Sequence, residues 1–211
     1  MRIIGLTSFV VQSRTVFSKL IQSLYQYTEE TQELKLFDDA YKQLKIDELM
    51  VVTDILGYEL NSTSVLKLLY KDLEQQISAD PTTKMSIENA VNEAVSLINK
   101  EFLHFELDLD SDRVELATIF KAMNVRIHIE SSTIFERVLD ILHVFKYLAK
   151  KKLLIFINLG TYLNRNEIEA LVEQVEILNI PVLMLDNACF EATINQMILD
   201  EDYVLLPNYM V

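Results

Sequence analysis

The sequence has few residues that interrupt regular structure. Its 211 residues include only three glycines and three prolines, whereas average usage predicts roughly 15 and 10. Half of the residues are hydrophobic. This composition excludes collagen-like, linker-rich and low-complexity chains, and the hydrophobic fraction excludes intrinsic disorder. The sequence therefore predicts a folded chain with a sizeable core, organised as one domain or two small ones.

Cysteine and long hydrophobic runs are also scarce. Cys189 is the single cysteine, so the chain cannot form an internal disulfide, which suits a reducing cytoplasm. No stretch reaches the ~18 uncharged apolar residues of a membrane span. The first residues turn polar too soon for a signal peptide. We therefore expect a cytoplasmic protein.

A phosphate-binding loop is missing as well. Gly5, Gly57 and Gly160 lie far apart, and none precedes a lysine followed by serine or threonine. No glycine-rich turn can therefore bring backbone N–H groups to a nucleotide phosphate. Asp54 and Asn158 follow apolar runs, and turn capping accounts for both better than ligand binding does. ATP hydrolysis is not expected.

No catalytic constellation replaces that loop. His104, His128 and His143 are isolated from serine, cysteine and carboxylate partners at catalytic or metal-ligand spacing. No nucleophile, acid–base pair or zinc arrangement emerges. The sequence therefore indicates a protein that is not an enzyme.

The apolar pattern predicts an α/β protein. Three short apolar runs, each ending at a polar residue and flanked by helical periodicity, indicate parallel strands that are buried on both faces. Further strands are expected at 34–37, near an edge, and at 203–206. A helix of 86–105 is too long for a crossover, and with the preceding helix, near 64–77, it suggests an inserted helical domain. We expect an α/β head of residues 1–60 and 141–211 with an inserted helical leg of residues 61–140. The three runs are 49–52, 153–157 and 182–185.

Charge is distributed unevenly along the chain, which carries a net −13. Residues 113–152 carry eight basic and four acidic groups, whereas residues 153–211 carry one and nine. The basic segment is densest at Lys150, Lys151 and Lys152. These lysines either complement the end of the preceding helix or bind an anion such as DNA.

Carboxylates cluster between residues 106 and 115. Several acidic side chains within ten residues suit a hard, oxygen-seeking cation such as Ca²⁺. The run is not an EF-hand, because Arg113 and Ile119 occupy the positions that would need glycine and a bidentate glutamate. The alternative is a solvated linker in which Asp110 or Asp112 caps the next helix.

Blocks of sequence throughout the chain resemble the small CRISPR-associated adaptation protein of subtype II-A systems, the short Csn family. They follow the family's order and span nearly the whole chain. The blocks are 24–27 (LYQY), 33–38 (ELKLFD), 51–58 (VVTDILGY), Asn61 with 66–68 (LKL), 72–74 (DLE), 133–136 (TIFE), 145–148 (FKYL), 150–158 (KKKLLIFIN) and 198–203 (ILDEDY).

The resemblance implies a non-catalytic protein that is needed to acquire new spacers and works with the integrase and effector nuclease of its locus. It implies a head that is a degenerate P-loop-type nucleotide-binding core, and a homotetrameric ring that takes double-stranded DNA ends into a lysine-lined channel. Calcium is expected to stabilise the DNA-binding form. The alternative is a tetrameric scaffold that recruits other adaptation proteins and has little DNA affinity.

The resemblance also suggests site residues. The proposed DNA contacts are Lys121, Arg126, Lys146, Lys150, Lys151 and Lys152. The proposed calcium ligands are Glu106, Asp108, Asp110 and Asp112, with Glu115 and Glu130 as lesser candidates. Arg113, Thr118 and His128 stand where relatives tend to have acidic groups, so a weaker site or fewer ions are expected. The first edge strand of the family is expected to be either shortened or replaced by residues 7–12.

Overall fold

The structure is a computed structural model that describes residues 3–30, 32–38, 40–104, 109, 113–148, 150–190, 194 and 196–208. Within them, the order of strands and helices is β1 (Leu6–Val11), α1 (Arg14–Tyr25), β2 (Leu49–Val52), α2 (Thr63–Ala79), α3 (Pro81–Phe102), α4 (Leu116–Ala122), α5 (Ile134–Tyr147), β3 (Leu153–Ile157), α6 (Arg165–Leu178), β4 (Val182–Asp186), β5 (Gln196–Leu199) and β6 (Leu205–Asn208). No described helix is both long and apolar enough to cross a membrane.

The described strands form one mixed sheet, in the order β2-β3-β4-β1-β5-β6. All neighbours are parallel except β5 and β6, which form an antiparallel pair. The α/β class and the three buried apolar strands are therefore confirmed. Every residue of β3 and β4 is buried, as expected for parallel strands that are covered on both faces.

Two strand predictions are wrong in detail. Strand β1 does not lie at an edge, because it pairs with both β4 and β5 in the middle of the sheet. The segment 34–37 forms no strand; the structure has only an isolated bridge between Phe37 and Gln43. Apolar and polar residues alternate both in short strands and in hairpin loops. The alternation at 34–37 therefore could not distinguish a strand from a loop.

The α/β unit comprises residues 1–60 and 129–211. On one face of its sheet, Phe17 and Leu24 of α1 form a core with Ile155, Leu185 and Tyr27, which follows the helix. Helix α6 packs against β1 and against α5. Residues 129–140, which the sequence analysis assigns to the helical leg, lie in the α/β unit. The reason is that α5 belongs to this core, as its buried residues Val138, Ile141, Leu142, Val144 and Phe145 demonstrate.

The helical unit comprises residues 61–128. Helix α2 begins after Ser62, whose side chain accepts the Val65 N–H, and α3 begins after Asp80, which accepts the Thr82 N–H. Pro81 occupies the first turn of α3, where its missing N–H costs nothing. Helix α2 packs against both α3 and α4. The two long helices thus begin at the capping residues that the sequence provides.

Candidate nucleic-acid interface

The three consecutive lysines lie in the loop between α5 and β3. The ammonium nitrogen of Lys152 lies 2.8 Å from Glu48 Oε1 and 3.3 Å from Asp38 Oδ2. The backbone N–H of Lys152 also donates to the Glu48 carbonyl oxygen at 2.7 Å. Lys152 therefore joins the start of β3 to the segment that leads into β2.

Its two neighbours make similar contacts. Lys150 Nζ lies 3.2 Å from Asp47 Oδ2, and Lys151 Nζ donates a hydrogen bond to the Leu49 carbonyl oxygen. All three lysines thus have partners between Asp47 and Leu49, at the start of β2 and just before it. These contacts support a structural role for the lysines beside the predicted role in DNA binding.

The ionisation of these groups reflects their pairing. The hydrogen bond from Lys152 lowers the pKa of the Glu48 carboxyl, and the same bond raises the pKa of the Lys152 ammonium. Backbone hydrogen bonds, first from Lys42, lower the pKa of Asp38. Burial lowers the pKa of Lys151. Any phosphate that binds here has to compete with carboxylates that are already ionised.

Lys146 has a different partner. It is exposed at the end of α5, and its Nζ donates to the Leu178 carbonyl oxygen at 2.6 Å. Leu178 is the last residue of α6, where carbonyl groups lack partners within the helix. A cation at this position stabilises the carboxyl end of the helix. Lys146 therefore caps α6.

Lys121 and Arg126 are the two predicted DNA contacts in the helical unit. Lys121 lies in the last turn of α4, and Arg126 follows it in an extended segment. Both side chains are exposed, and neither forms an ion pair with another described residue. These two cations can therefore meet a phosphate without losing an intramolecular partner among the described residues.

Two side chains of α2 and its preceding turn fix the segment that carries Arg126. The Asn61 amide nitrogen donates to the Ile127 carbonyl oxygen at 3.0 Å, and the Ile127 N–H donates to Asn61 Oδ1 at 2.8 Å. The Tyr70 hydroxyl donates to the Val125 carbonyl oxygen at 2.7 Å. Arg126 lies between the two fixed residues, so its backbone is held on both sides.

Four of the predicted calcium ligands, Glu106, Asp108, Asp110 and Asp112, lie outside the described residues. Glu115 is exposed at the start of α4 and lines a cavity of about 310 Å³ in the helical unit. Glu130 is exposed in the segment before α5. Within the described part of the chain, no group of three or more His, Cys, Asp or Glu side chains is arranged to hold a metal ion.

The carboxyl ends of the strands carry turn-forming residues. Strand β1 is joined to α1 by Gln12 and Ser13 alone, which leaves no room for a phosphate-binding loop. Asp54 Oδ1 accepts the Gly57 N–H at 2.9 Å, so it closes a turn. Gly160 is required at its position, because a Cβ there would lie 2.3 Å from the ring of Phe190.

Asp186 is a buried carboxylate that sequence reasoning missed. It ends β4 with only 2 % of its surface exposed, and its Oδ1 accepts the Gly160 N–H at 2.9 Å. Its Oδ2 has no hydrogen-bond partner among the described residues. Burial raises the pKa of Asp186 to about 6. The apolar run that precedes it marked a buried strand but did not indicate that its last carboxylate would be buried too.

Comparisons with known proteins give one consistent result. A sequence profile described as CRISPR-associated protein (Cas_Csn2) matches residues 26–203. The chain is 44 % identical over 199 residues to the CRISPR-associated protein Csn2 of Enterococcus faecalis, which covers 94 % of this chain and 90 % of the relative. It is 40 % identical over 205 residues to the CRISPR-associated protein Csn2 of Streptococcus agalactiae. That match covers 97 % of this chain and 92 % of the relative.

A solved structure has a related fold. The crystal structure of Stu0660 of Streptococcus thermophilus superposes on this chain with a TM-score of 0.59. The match covers 99 % of this chain and 72 % of the Stu0660 chain, and the two sequences are 12 % identical. At this identity the likeness concerns the fold alone. The profile match and the two relatives span nearly the whole chain, and they show that the chain belongs to the Csn2 family of CRISPR-associated proteins.

Proposed function

We propose that this chain is a non-catalytic, calcium-dependent protein that binds double-stranded DNA ends during spacer acquisition. The observation that carries the proposal is membership of the Csn2 family over nearly the whole chain, which supports a role in CRISPR adaptation. The proposed protein acts in the cytoplasm as a homotetrameric ring. Its proposed partners are the integrase and the effector nuclease of the same locus.

In this proposal the α/β unit is a nucleotide-binding core that has lost its phosphate loop. Two observations support it. The central strand β1 leads into α1 at the place where parallel α/β proteins bind ligands, and the connection has only two residues, Gln12 and Ser13. Without N–H groups to hold phosphates, the unit would serve as a rigid platform and would hydrolyse no nucleotide.

In this proposal, the affinity for DNA comes from a few cations in each chain, which the symmetry of the tetramer brings together around one channel. A chain of net charge −13 repels DNA on average, since affinity depends on Lys and Arg neutralising phosphates and releasing counterions. Four copies of the basic segment around one channel would create a local positive field. Lys121 and Arg126 suit this role best, because both are exposed and neither has an ionic partner among the described residues.

Calcium fits the chemistry of the proposed donor set. Carboxylate oxygens are the ligands that Ca²⁺ prefers, and the two described candidates, Glu115 and Glu130, are both exposed. The remaining ligands would be Glu106, Asp108, Asp110 and Asp112. Bound Ca²⁺ would supply positive charge that cancels the repulsion among carboxylates brought together by folding.

A second function has support from a specific observation. Lys150, Lys151 and Lys152 are occupied by Asp47, Leu49, Glu48 and Asp38, so they offer fewer free contacts to phosphate than their sequence implies. A tetrameric scaffold that recruits other adaptation proteins would need no such contacts. This alternative predicts weak DNA binding with little dependence on salt.

The salt dependence of duplex binding separates the two functions. If lysine and arginine contact phosphates, the logarithm of the binding constant falls with the logarithm of salt concentration, with a slope of about −0.9 for each contact. A scaffold shows almost no slope. A titration of linear duplex DNA at several salt concentrations, in calcium, measures this slope directly.

Two sets of variants identify the contacts. Lys121→Ala with Arg126→Ala should weaken binding of all sequences equally, reduce the salt slope by about two contacts per chain, and leave the melting temperature unchanged. Replacing Lys150, Lys151 and Lys152 by Ala should lower duplex affinity and also the melting temperature, because the contacts that join β2 to β3 are lost. If both sets bind DNA as the unmodified chain does, the proposed interface is wrong.

A further inference from the structure

Two hairpin turns of the α/β unit share one design. In the first, the Asp38 N–H donates to the Lys42 carbonyl oxygen at 2.9 Å, and the Tyr41 N–H donates to the Asp38 carbonyl oxygen at 3.0 Å. The side-chain oxygen Oδ1 of Asp38 accepts two further N–H groups, from Ala40 at 3.0 Å and from Lys42 at 2.9 Å. One aspartate therefore organises the whole turn.

The second turn, between β5 and β6, repeats every one of these bonds. The Asp200 N–H donates to the Val204 carbonyl oxygen at 3.1 Å, and the Tyr203 N–H donates to the Asp200 carbonyl oxygen at 3.2 Å. Asp200 Oδ1 accepts the N–H groups of Asp202 at 2.9 Å and Val204 at 2.8 Å. Each turn thus places a tyrosine three residues after its aspartate.

Both tyrosines occupy a conformation that favours glycine. Tyr41 has a φ of 58° and Tyr203 a φ of 63°, in the left-handed region where a side chain crowds the backbone. Their side chains are also 89 % and 69 % exposed, so core packing does not account for either of them. An exposed aromatic residue in a strained position is typical of a surface that contacts something else.

The surroundings of the two rings differ in charge. Tyr41 lies between Ala40 and Lys42, and Asp38 of its turn pairs with Lys152 at 3.3 Å. Tyr203 follows Glu201 and Asp202, which are exposed and form no ion pair with another described residue. Residues 153–211 carry one basic and nine acidic groups. The surface at Tyr203 is therefore acidic.

Apolar side chains continue from Tyr203 along the edge of the sheet. Val204, Leu205 and Leu206 are 49 %, 48 % and 46 % exposed. Strand β6 pairs with β5 on one side and ends the described sheet on the other. We call Tyr203, Val204, Leu205 and Leu206 the edge strip. Unpaired backbone groups of an edge strand can accept an additional strand.

We propose that the edge strip is a docking surface for a basic, extended segment of a partner protein. The segment pairs with the part of β6 before Pro207, which has no N–H to donate, and packs its apolar residues on either Leu205 or Leu206, because successive side chains of a strand lie on opposite faces of the sheet. An arginine of the segment stacks its guanidinium on the Tyr203 ring beside the carboxylates of Glu201 and Asp202. These carboxylates repel phosphate, so the occupant is a protein and not DNA.

A peptide titration tests this surface with a matched control. The probe is a six-residue peptide that alternates arginine with valine and carries an amino-terminal fluorescein, measured by fluorescence anisotropy at 0.15 M salt. Tyr203→Gly should bind it about tenfold more weakly than the unmodified chain, and Tyr203→Phe should bind it normally. Tyr41→Gly removes an equivalent ring from a turn in which the described aspartate, Asp38, pairs with Lys152, and it should change nothing.

Stability and oligomeric state provide the other controls. Both glycine variants should melt at the same temperature as the unmodified chain or above it, because glycine relieves the strain. Equal peptide binding by Tyr203→Gly, or an equal loss in Tyr41→Gly, would overturn the proposal. A smaller sedimentation mass for Tyr203→Gly would assign the strip to a second copy of this chain instead. DNA binding should be unaffected in either variant.

Discussion

The two units differ in how much apolar surface each of them buries. The α/β unit buries every residue of β3 and β4 and covers its sheet with helices. Among the described residues of the helical unit, only Val65, Tyr70 and Phe120 are buried hydrophobic residues. Helix α3, at 22 residues, contains no buried residue. Among the described helices, the longest is therefore the one that buries the fewest residues.

This difference indicates where each unit obtains its stability. Apolar burial contributes about 25 cal/mol per Å², and helices gain most of their stability from packing. The α/β unit has such packing within a single chain. On α3, Leu97 and Ile98 remain more than half exposed. We expect the α/β unit to be stable by itself and the helical unit to gain stability from what binds it.

A pair of matched substitutions gives the largest expected contrast. Leu154 is fully buried in β3 and Leu97 is 57 % exposed on α3. Leu154→Ala should lower the free energy of unfolding by about 2–5 kcal/mol, because it removes packed methyl groups and leaves a cavity. Leu97→Ala should change it by less than about 0.5 kcal/mol in dilute, calcium-free protein. Urea denaturation measures the free energy of unfolding of both variants. Equal losses in the two variants would mean that Leu97 is packed in a core as Leu154 is.

Calcium should act on the stability of the protein with the next largest effect. A cation that binds only the folded state stabilises it by about 2.7 kcal/mol at a hundredfold excess over Kd. Millimolar Ca²⁺ should raise the melting temperature and favour the proposed tetramer, and Mg²⁺ should substitute poorly because it demands octahedral geometry. Asp110→Ala with Asp112→Ala should abolish both responses. Unchanged melting and oligomer size after chelation would contradict the proposed site.

The α/β unit has its own sensitivity, which is to pH. Burial raises the pKa of Asp186 to about 6, above the value of an unfolded carboxyl. Protonated Asp186 therefore costs the fold nothing below pH ~4, and stability is lost as the pH rises through about 6. Asp186→Asn keeps the acceptor for the Gly160 N–H and should restore about 2 kcal/mol at pH 8 but none at pH 4. Thermal melts across this range test it; a gain independent of pH would show that ionisation is not the cause.

The smallest expected effect concerns helix caps. Thr133 caps α5 in a capping box with Glu136, at 3.1 Å between the threonine hydroxyl and the Glu136 N–H. Thr133→Ala should cost about 1 kcal/mol, because α5 folds with the core. Ser62→Ala removes the cap of α2 at a longer distance of 3.4 Å and should cost less. A larger loss for Ser62→Ala would reverse the comparison of the two units.

The sequence was most informative where burial was uniform. Strands β3 and β4 are continuous apolar runs, and three helices begin at local capping side chains, those of Thr133, Asn164 and Asp80. Strand β1 was not recognised as central, because its buried Ser8 interrupts the apolar pattern. Gln196 is also buried, and as a polar residue it interrupts the apolar pattern of β5 in the same way. In both strands, position in the sheet overrides the local pattern.

The candidate interface was less predictable than the fold. Sequence identified the basic segment, but it could not reveal that Lys150 and Lys152 face carboxylates about a hundred residues away. It also gave no signal that Asn61 would hold the segment around Arg126 across 66 residues. Such pairings are products of topology, and no short-range spacing encodes them.

The most direct test of the central claim compares linear with covalently closed circular duplex DNA of the same sequence, in calcium and at one salt concentration. A ring that admits DNA ends should bind the linear form and bind the circle at least about tenfold more weakly, and chelation should abolish the difference. Equal binding of the two forms would contradict the account, because a closed ring cannot thread a circle.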